Sequence, residues 1–335
     1  MIKTKGETKM QRYRLPATIV IAALALCTAA SAQTFPSKQV RIVVPYAPGG
    51  GIDAIARAIA TGLGPKWGQS IIVENKPGAS TFLGTTQVAK ATADGHTLLL
   101  TSESTVVSNP YLFDNLPYDV RRDLLPVSLL VSLPQMVVAS TAVPARSAAE
   151  LVELARKDSS KLNYASYGSG SLPHIFFEAL NKTAGTAIAQ APYKGIIPAV
   201  AAIAGGEVQL TLVGASLARP QIASGKIKPL AVVGGARLTA FPDVATLTES
   251  GFAEIDPGES WFGLFVTGGS PADIPARIQK DVAELFSAGE MHEKHVMGRG
   301  LTPVFSTPEA FAKRIAAESA GMEKLIKLTG IKGEQ

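Results

Sequence analysis

The residues best suited to chemistry lie in glycine- and hydroxyl-rich stretches that follow short apolar runs. The first is VPYAPGGGID, which holds Tyr46, Ala47, Pro48, Gly49, Gly50 and Gly51. Glycines let backbone approach a ligand and turn sharply into a helix, whose first N–H groups and partial positive charge suit an anion. No Gly-Lys-Ser/Thr follows, so the stretch is not a P-loop, and its glycines lack the G-x-G-x-x-G spacing of a dinucleotide site. Taken alone, it reads equally well as a tight strand–helix turn. Asp53 falls in the expected first helical turn, where a carboxylate supports the helix dipole rather than catalyses.

The second stretch, YASYGSGSLPH, repeats the design with Ser166, Gly168, Ser169, Gly170, Ser171 and His174, and it places Pro173 near a helix start. The third, TSESTVVSN, offers the hydroxyls of Ser102 and Ser104. Catalytic alternatives are weak. Gly168-Ser169-Gly170-Ser171 is not a G-x-S-x-G elbow, which leaves a Ser171/His174 hydrolase as a poor competitor. His292 and His295 lack the H-E-x-x-H spacing, and with Glu290, Glu293 and Lys294 around them they read as a solvated face. No catalytic residue, metal set or cofactor is expected.

These loops need elements to hold them. Strands are expected over 39–45, 70–73, 97–101, 125–131, 135–139 and 162–165, with a turn at 75–78. Helices are expected over 53–63, 85–91, 148–156, 175–182, 275–286 and 308–329. In the first helix Ile55, Ile59 and Leu63 share one face. Continuous apolar strands alternating with helices mean parallel sheets covered on both faces. Ligands sit beyond the carboxyl ends of such strands, where all three loops fall. Segments 131–135 and 257–261 are the expected crossings between lobes, which puts the two glycine loops on different lobes. Trp67 and Trp261 read as core or lobe-junction residues.

The chain has 335 residues, 46% hydrophobic and 18% charged, enough for two domains. Its 31 Gly and 22 Pro argue against a coiled coil or a charge-rich disordered chain. The formal charge of +5 is concentrated at the start, where Lys3, Lys5, Lys9, Arg12 and Arg14 face only Glu7. The remainder is close to neutral and has no electrostatic footprint for nucleic acid. The basic start, an apolar run over 19–27 and Ala30-Ser31-Ala32 read as a cleavable secretory leader over 1–32, beginning at Met1 or Met10 and cut after Ala32. The apolar run is too short to span a membrane. Cys27 is the chain's one cysteine, and Leu26 before it argues against lipidation. The processed chain therefore lacks disulfides and thiol chemistry.

Together these loops resemble the Bug/TctC family of periplasmic solute-binding proteins of tripartite tricarboxylate transporters. VPYAPGGGID and YASYGSGSLPH resemble the family's ligand loops. Around them come Phe35-Pro36-Ser37-Lys38, Val73-Glu74-Asn75-Lys76-Pro77-Gly78-Ala79, Ala93-Asp94-Gly95-His96-Thr97-Leu98-Leu99, Asn109-Pro110 and Leu116-Pro117-Tyr118-Asp119. Pro192-Tyr193-Lys194-Gly195, Ser224-Gly225-Lys226, Phe241-Pro242-Asp243-Val244 and Trp261-Phe262-Gly263-Leu264 complete the series. The resemblance implies an α/β, two-lobed periplasmic-binding-protein fold (Venus flytrap, type II), each lobe a mostly parallel sheet flanked by helices. It divides the chain into 33–132 plus 257–335 and 133–256. It also implies a monomer that binds a small carboxylate between the lobes, through backbone N–H groups, hydroxyls and water, and passes it to membrane permease subunits. Ligand sensing for a signalling kinase is the alternative the family also allows. The chain departs from the family pattern at Ile52, where a small polar residue is common, and at Gly214, in a segment that is often acidic. Glu103 is a third departure, in a loop that is usually neutral.

Overall fold

The computed structural model describes residues 35–333, so the leader expected over 1–32, with Met10 and Cys27, lies outside the described residues. The chain opens with β1 (Val40–Val44), α1 (Gly51–Trp67), β2 (Ile71–Asn75), α2 (Phe82–Ala89), β3 (Thr97–Ser102) and β4 (Leu124–Leu133). It continues with β5 (Gln135–Ser140), α3 (Ala148–Lys157), β6 (Asn163–Ser166), α4 (Leu172–Ala184), β7 (Ala189–Pro192), α5 (Ile196–Gly205), β8 (Leu210–Gly214), α6 (Ala215–Ala223) and β9 (Ile227–Val232). A long connection then leads to β10 (Ser260–Thr267), α7 (Asp273–Leu285), α8 (Gly289–His295), β11 (Thr302–Pro303) and α9 (Pro308–Thr329).

The strands form two sheets, ordered β11-β4-β10-β3-β1-β2 and β7-β6-β8-β5-β9. The hydrophobic runs explain the burial: the four apolar residues of β1 are fully covered, as are Leu98, Leu99 and Leu100 of β3. The sheets are mixed rather than mostly parallel. β1 runs parallel to β2 and β3, but β10 runs against β3 and β4. In the second sheet β6 is parallel to β7 and β8, while β5 opposes β8 and β9. The cause is the crossing itself. β4 ends at the rim of one sheet, and only Pro134 separates it from β5, which must run away from the rim of the other. β10 does the same on the return.

The two halves do not have wholly separate cores. One apolar cluster includes Val43 and Leu99 of the first sheet, Leu212 of the second, Phe176 and Phe177 of α4, and Phe311 and Met322 of α9. α9 packs on both β4 and α4, so it ties the halves together. Trp261 is fully buried, lies edge-on to Phe311 at 5.0 Å, and donates from Nε1 to Glu318 at 2.7 Å. Such aromatic pairing adds roughly 1 kcal/mol beyond burial. Trp67, also buried, donates to Asp281 at 2.7 Å.

Candidate functional site

Register places the loops together. Val44, Asn75, Ser102 and Leu133 end strands at one edge of the first sheet, and Ser260 begins β10 there. Ser166, Pro192, Gly214 and Val232 end strands at one edge of the second, where Gln135 begins β5. Because Leu133 and Gln135 flank Pro134, the two edges abut. The glycine loops rise from facing rims.

On the first rim, Ala47, Pro48, Gly49 and Gly50 are exposed. The first bond within α1 is Ala54 N–H to Gly50 C=O at 3.0 Å, so the amides of Gly51, Ile52 and Asp53 lie ahead of the helical ladder. Asp53 is buried beneath the loop. It accepts from Gly49 N–H at 2.9 Å, Arg57 Nε at 3.0 Å and Asn75 Nδ2 at 2.9 Å. Burial alone would raise its pKa, but the Arg57 guanidinium, the Gly49 N–H and the Asn75 amide outweigh it and hold the carboxylate below its ordinary value. Asp53 therefore fixes the loop's inner edge and keeps its charge occupied.

Tyr46, Ser102 and Ser104 converge. The Tyr46 hydroxyl lies 2.8 Å from Ser102 Oγ and 3.2 Å from Ser104 Oγ, and the two serine oxygens are 2.9 Å apart. Glu103, between those serines, turns its carboxylate toward β10, where Oε2 accepts from Ser260 Oγ at 2.8 Å and Trp261 N–H at 3.2 Å. Burial lifts its pKa to about 7 in spite of these donors, and Glu318 adds to the rise. It fastens the third loop to the returning strand.

On the second rim, the loop is braced from within. Ser171 Oγ donates to Gly168 C=O at 2.7 Å, and Gly170 N–H donates to His174 Nδ1 at 3.1 Å. Ser171 thus gives its proton to a carbonyl, as a turn residue does. Ser169 Oγ donates to Lys332 C=O at 3.0 Å, and buried Ser166 accepts from Gln190 at 2.8 Å. Gly170 adopts φ 72°, and a Cβ there would stand 2.6 Å from Leu112 Cδ1. Tyr167 lies near Glu103, whose charge adds to burial in raising its phenol. The second loop thus touches the first lobe.

Three rim features escape sequence reasoning. Ala79, Ser80 and Thr81 are consecutive non-glycine residues at φ 45°, 50° and 78°, just before α2. Asn109 Nδ2 bonds Ser80 C=O at 2.8 Å, and Thr105 bonds Thr81 at 3.0 Å, which holds this costly conformation. No glycine in 79–81 signalled it. Lys194 is exposed just past β7, in a turn tied to Ser166 C=O by Tyr193 N–H at 2.8 Å. Only the family-like Tyr193-Lys194-Gly195 run could have pointed there. Gln135 is buried on the floor, donating to Leu133 C=O at 3.0 Å.

Two cavities lie away from the glycine loops. One of about 710 Å³ is lined by Val106, Tyr111, Tyr118, Phe265 and Ile315, and one of about 560 Å³ by 234–236, Glu259, Arg314 and Glu318. Neither is lined by a glycine-loop residue. Among the described residues no cluster of His, Cys, Asp and Glu could hold a metal ion.

Residues 55–331 match the family described as the tripartite tricarboxylate transporter family receptor. The chain is 31% identical to Protein BugT of Bordetella pertussis over 315 residues, covering 94% of this chain and 96% of that one. A solved R. palustris protein with adipate is 30% identical, with a TM-score of 0.74 and coverage of 90% and 100%. MatC from Rhodopseudomonas palustris with bound malate is 29% identical, with a TM-score of 0.71 and coverage of 87% and 100%.

Proposed function

The chain belongs to the tripartite tricarboxylate transporter receptor family, and on that ground we propose that it captures a small dicarboxylate or tricarboxylate-like molecule between its lobes and delivers it to the transporter's permease. The observation that carries this reading is the first rim: amides of 51–53 ahead of the helical ladder, above a carboxylate already paired with Arg57 and hydrogen-bonded by Gly49 and Asn75. Such a site takes an anion without a free lysine or arginine. One ligand carboxylate sits at 48–51, and the other reaches 166–171, with Tyr46, Ser102 and Ser104 supplying hydroxyls between them. The lobes in this proposal are 33–132 plus 257–335 and 133–256.

The energetics are adequate. Micromolar binding needs about −8 kcal/mol. Charge-assisted hydrogen bonds contribute roughly 1.5–3 kcal/mol each before association costs, so several amide and hydroxyl donors suffice. The solute-binding character of the family and the turn role of Ser171 support a binder without turnover. The leader, cut after Ala32, would place the protein in the periplasm.

Thermal shift across malate, adipate, citrate, glucose and a polyamine tests the reading. A ligand at 100-fold its Kd adds about 2.7 kcal/mol, a shift of several degrees for a chain of this size. Stabilisation by at least one carboxylate is expected. Stabilisation only by sugars or cations would overturn the anion site.

A further inference from the structure

The last described residues are held rather than loose. α9 ends before Gly330, and Ile331 then enters the shared core at 8% exposure. Gly333 N–H donates to Leu112 C=O at 2.9 Å, and Lys332 Nζ meets Asp114 at 2.7 Å. Leu112 and Asp114 belong to the first lobe, just beyond the third loop. From the opposite side, Ser169 Oγ at the tip of the second glycine loop donates to Lys332 C=O at 3.0 Å. This short piece of chain is gripped by one lobe and grips the ligand loop of the other. α9, from which it extends, packs on α4, the helix that the second loop opens.

We propose that residues 331–333 are a positioning strap for the second ligand loop: they hold its Ser169 tip at one setting against the first lobe, and so fix the geometry that the ligand meets. This rests on reading 166–171 as a ligand loop. The loop's internal bonds hold Gly168, Gly170 and Ser171, while Ser169, flanked by Gly168 at φ 124° and Gly170 at φ 72°, is tied from outside by the Lys332 carbonyl. A segment with two glycines in five residues has many backbone states to lose on ordering. Ordering it before the ligand arrives removes that cost from binding. The Lys332–Asp114 pair is exposed at both partners and contributes little. The backbone bond of Gly333, the burial of Ile331 and the Ser169 hydroxyl carry the strap.

Three variants of the full processed chain test it. A Cβ at Gly333 would stand 2.3 Å from Phe113 Cζ, so Gly333→Ala displaces the tail without touching the loop. Ser169→Ala removes the hydroxyl from the other side, and Ser169→Thr keeps it. Amide hydrogen exchange at 168–172 in ligand-free protein should quicken about tenfold or more in both alanine variants and stay unchanged in Ser169→Thr. Affinity for malate or adipate, whichever the wild type binds, should weaken about threefold or more in Gly333→Ala, whose substitution lies outside the ligand loop; the Ser169 variants are read by exchange. Unchanged exchange in both alanine variants overturns the strap, as does quickened exchange with unaltered affinity. If the wild type binds no carboxylate, the ligand reading fails separately, and exchange still decides the strap. If Gly333→Ala does not fold by circular dichroism, the Ser169→Ala and Ser169→Thr pair decides alone.

Discussion

The two glycine loops share a sequence design and differ in what holds them. The first is fastened from beneath by the charge of Asp53, and it spends one N–H, that of Gly49, on the fastening. Its lip is open: a Cβ at Gly49 or Gly50 would meet nothing within 4 Å. The second is fastened at its own tip. It spends the N–H groups of Gly170 and Ser171 on His174 and Gly168, Pro173 has none to offer, and Leu112 presses on Gly170. The first loop thus keeps more amides uncommitted than the second, and in the proposed function it is the anion donor while the second is a shaped wall beside the ligand.

The sharpest test of that division is Gly170→Val. A left-handed β-branched residue costs roughly 1–2 kcal/mol, and forcing a side chain onto Leu112 adds about 1–3 kcal/mol. The expected loss is about 2–5 kcal/mol in urea denaturation, with native structure eroded. Destabilisation below 1 kcal/mol would show the second loop to be as open as the first.

Between the loops stands Glu103. Burial favours its protonated form, so the folded chain holds that proton more tightly than the unfolded chain. The resulting stability is complete below the ordinary value of 4.5 and is lost as pH rises through about 7. Glu103→Gln, which still accepts from Ser260 and Trp261, should match the wild type near pH 4 and exceed it at pH 8 by about 3 kcal/mol at most. Unfolding midpoints at the two pH values read this directly. Equal pH slopes in both proteins would show that burial does not raise the pKa of this acid.

Asp53→Ala strikes the fastening of the first loop. It leaves the Gly49 N–H and the Asn75 amide without their acceptor, at a cost of about 2 kcal/mol. Arg57 is half exposed and adds little. The depressed pKa means that this contribution is present at neutral pH and disappears as pH falls below the ordinary aspartate value. Wild type and variant should therefore converge under acid, as followed by thermal melts.

Much of this was legible in the sequence because it rests on local rules. Apolar runs such as VRIVV and TLLLTS gave buried strands, and glycine followed by an amphipathic stretch gave α1. The strands over 189–192, 210–214, 227–232 and 260–267 lie outside the expected elements. β7 is an exposed AQAP, and β9 carries a proline, so neither shows a strand period. The antiparallel course of β5 and β10 depends on how the chain crosses between rims, which no short window encodes. At the site, residue types marked both loops, but their unequal bracing depends on Leu112 and Lys332, distant in sequence from the second loop.

The smallest effect on stability, and the most telling for the comparison, belongs to Gly50→Val. Gly50 sits at φ −74° and ψ 173°, which valine adopts readily, and no atom lies within 4 Å of its Cβ position. The fold should lose less than about 1 kcal/mol, reflecting only the poorer fit of valine at a helix cap. Binding should suffer far more, because the side chain projects from the lip where a carboxylate would approach the amides of 51–53. A drop of about tenfold or more in affinity for whichever carboxylate stabilises the wild type, at an unchanged melting temperature, would separate the loop's ligand role from its structural one. Wild-type affinity in this variant would reduce the first loop to a turn and move the anion site to the second rim, where Lys194 would have to supply the charge that the amides do not.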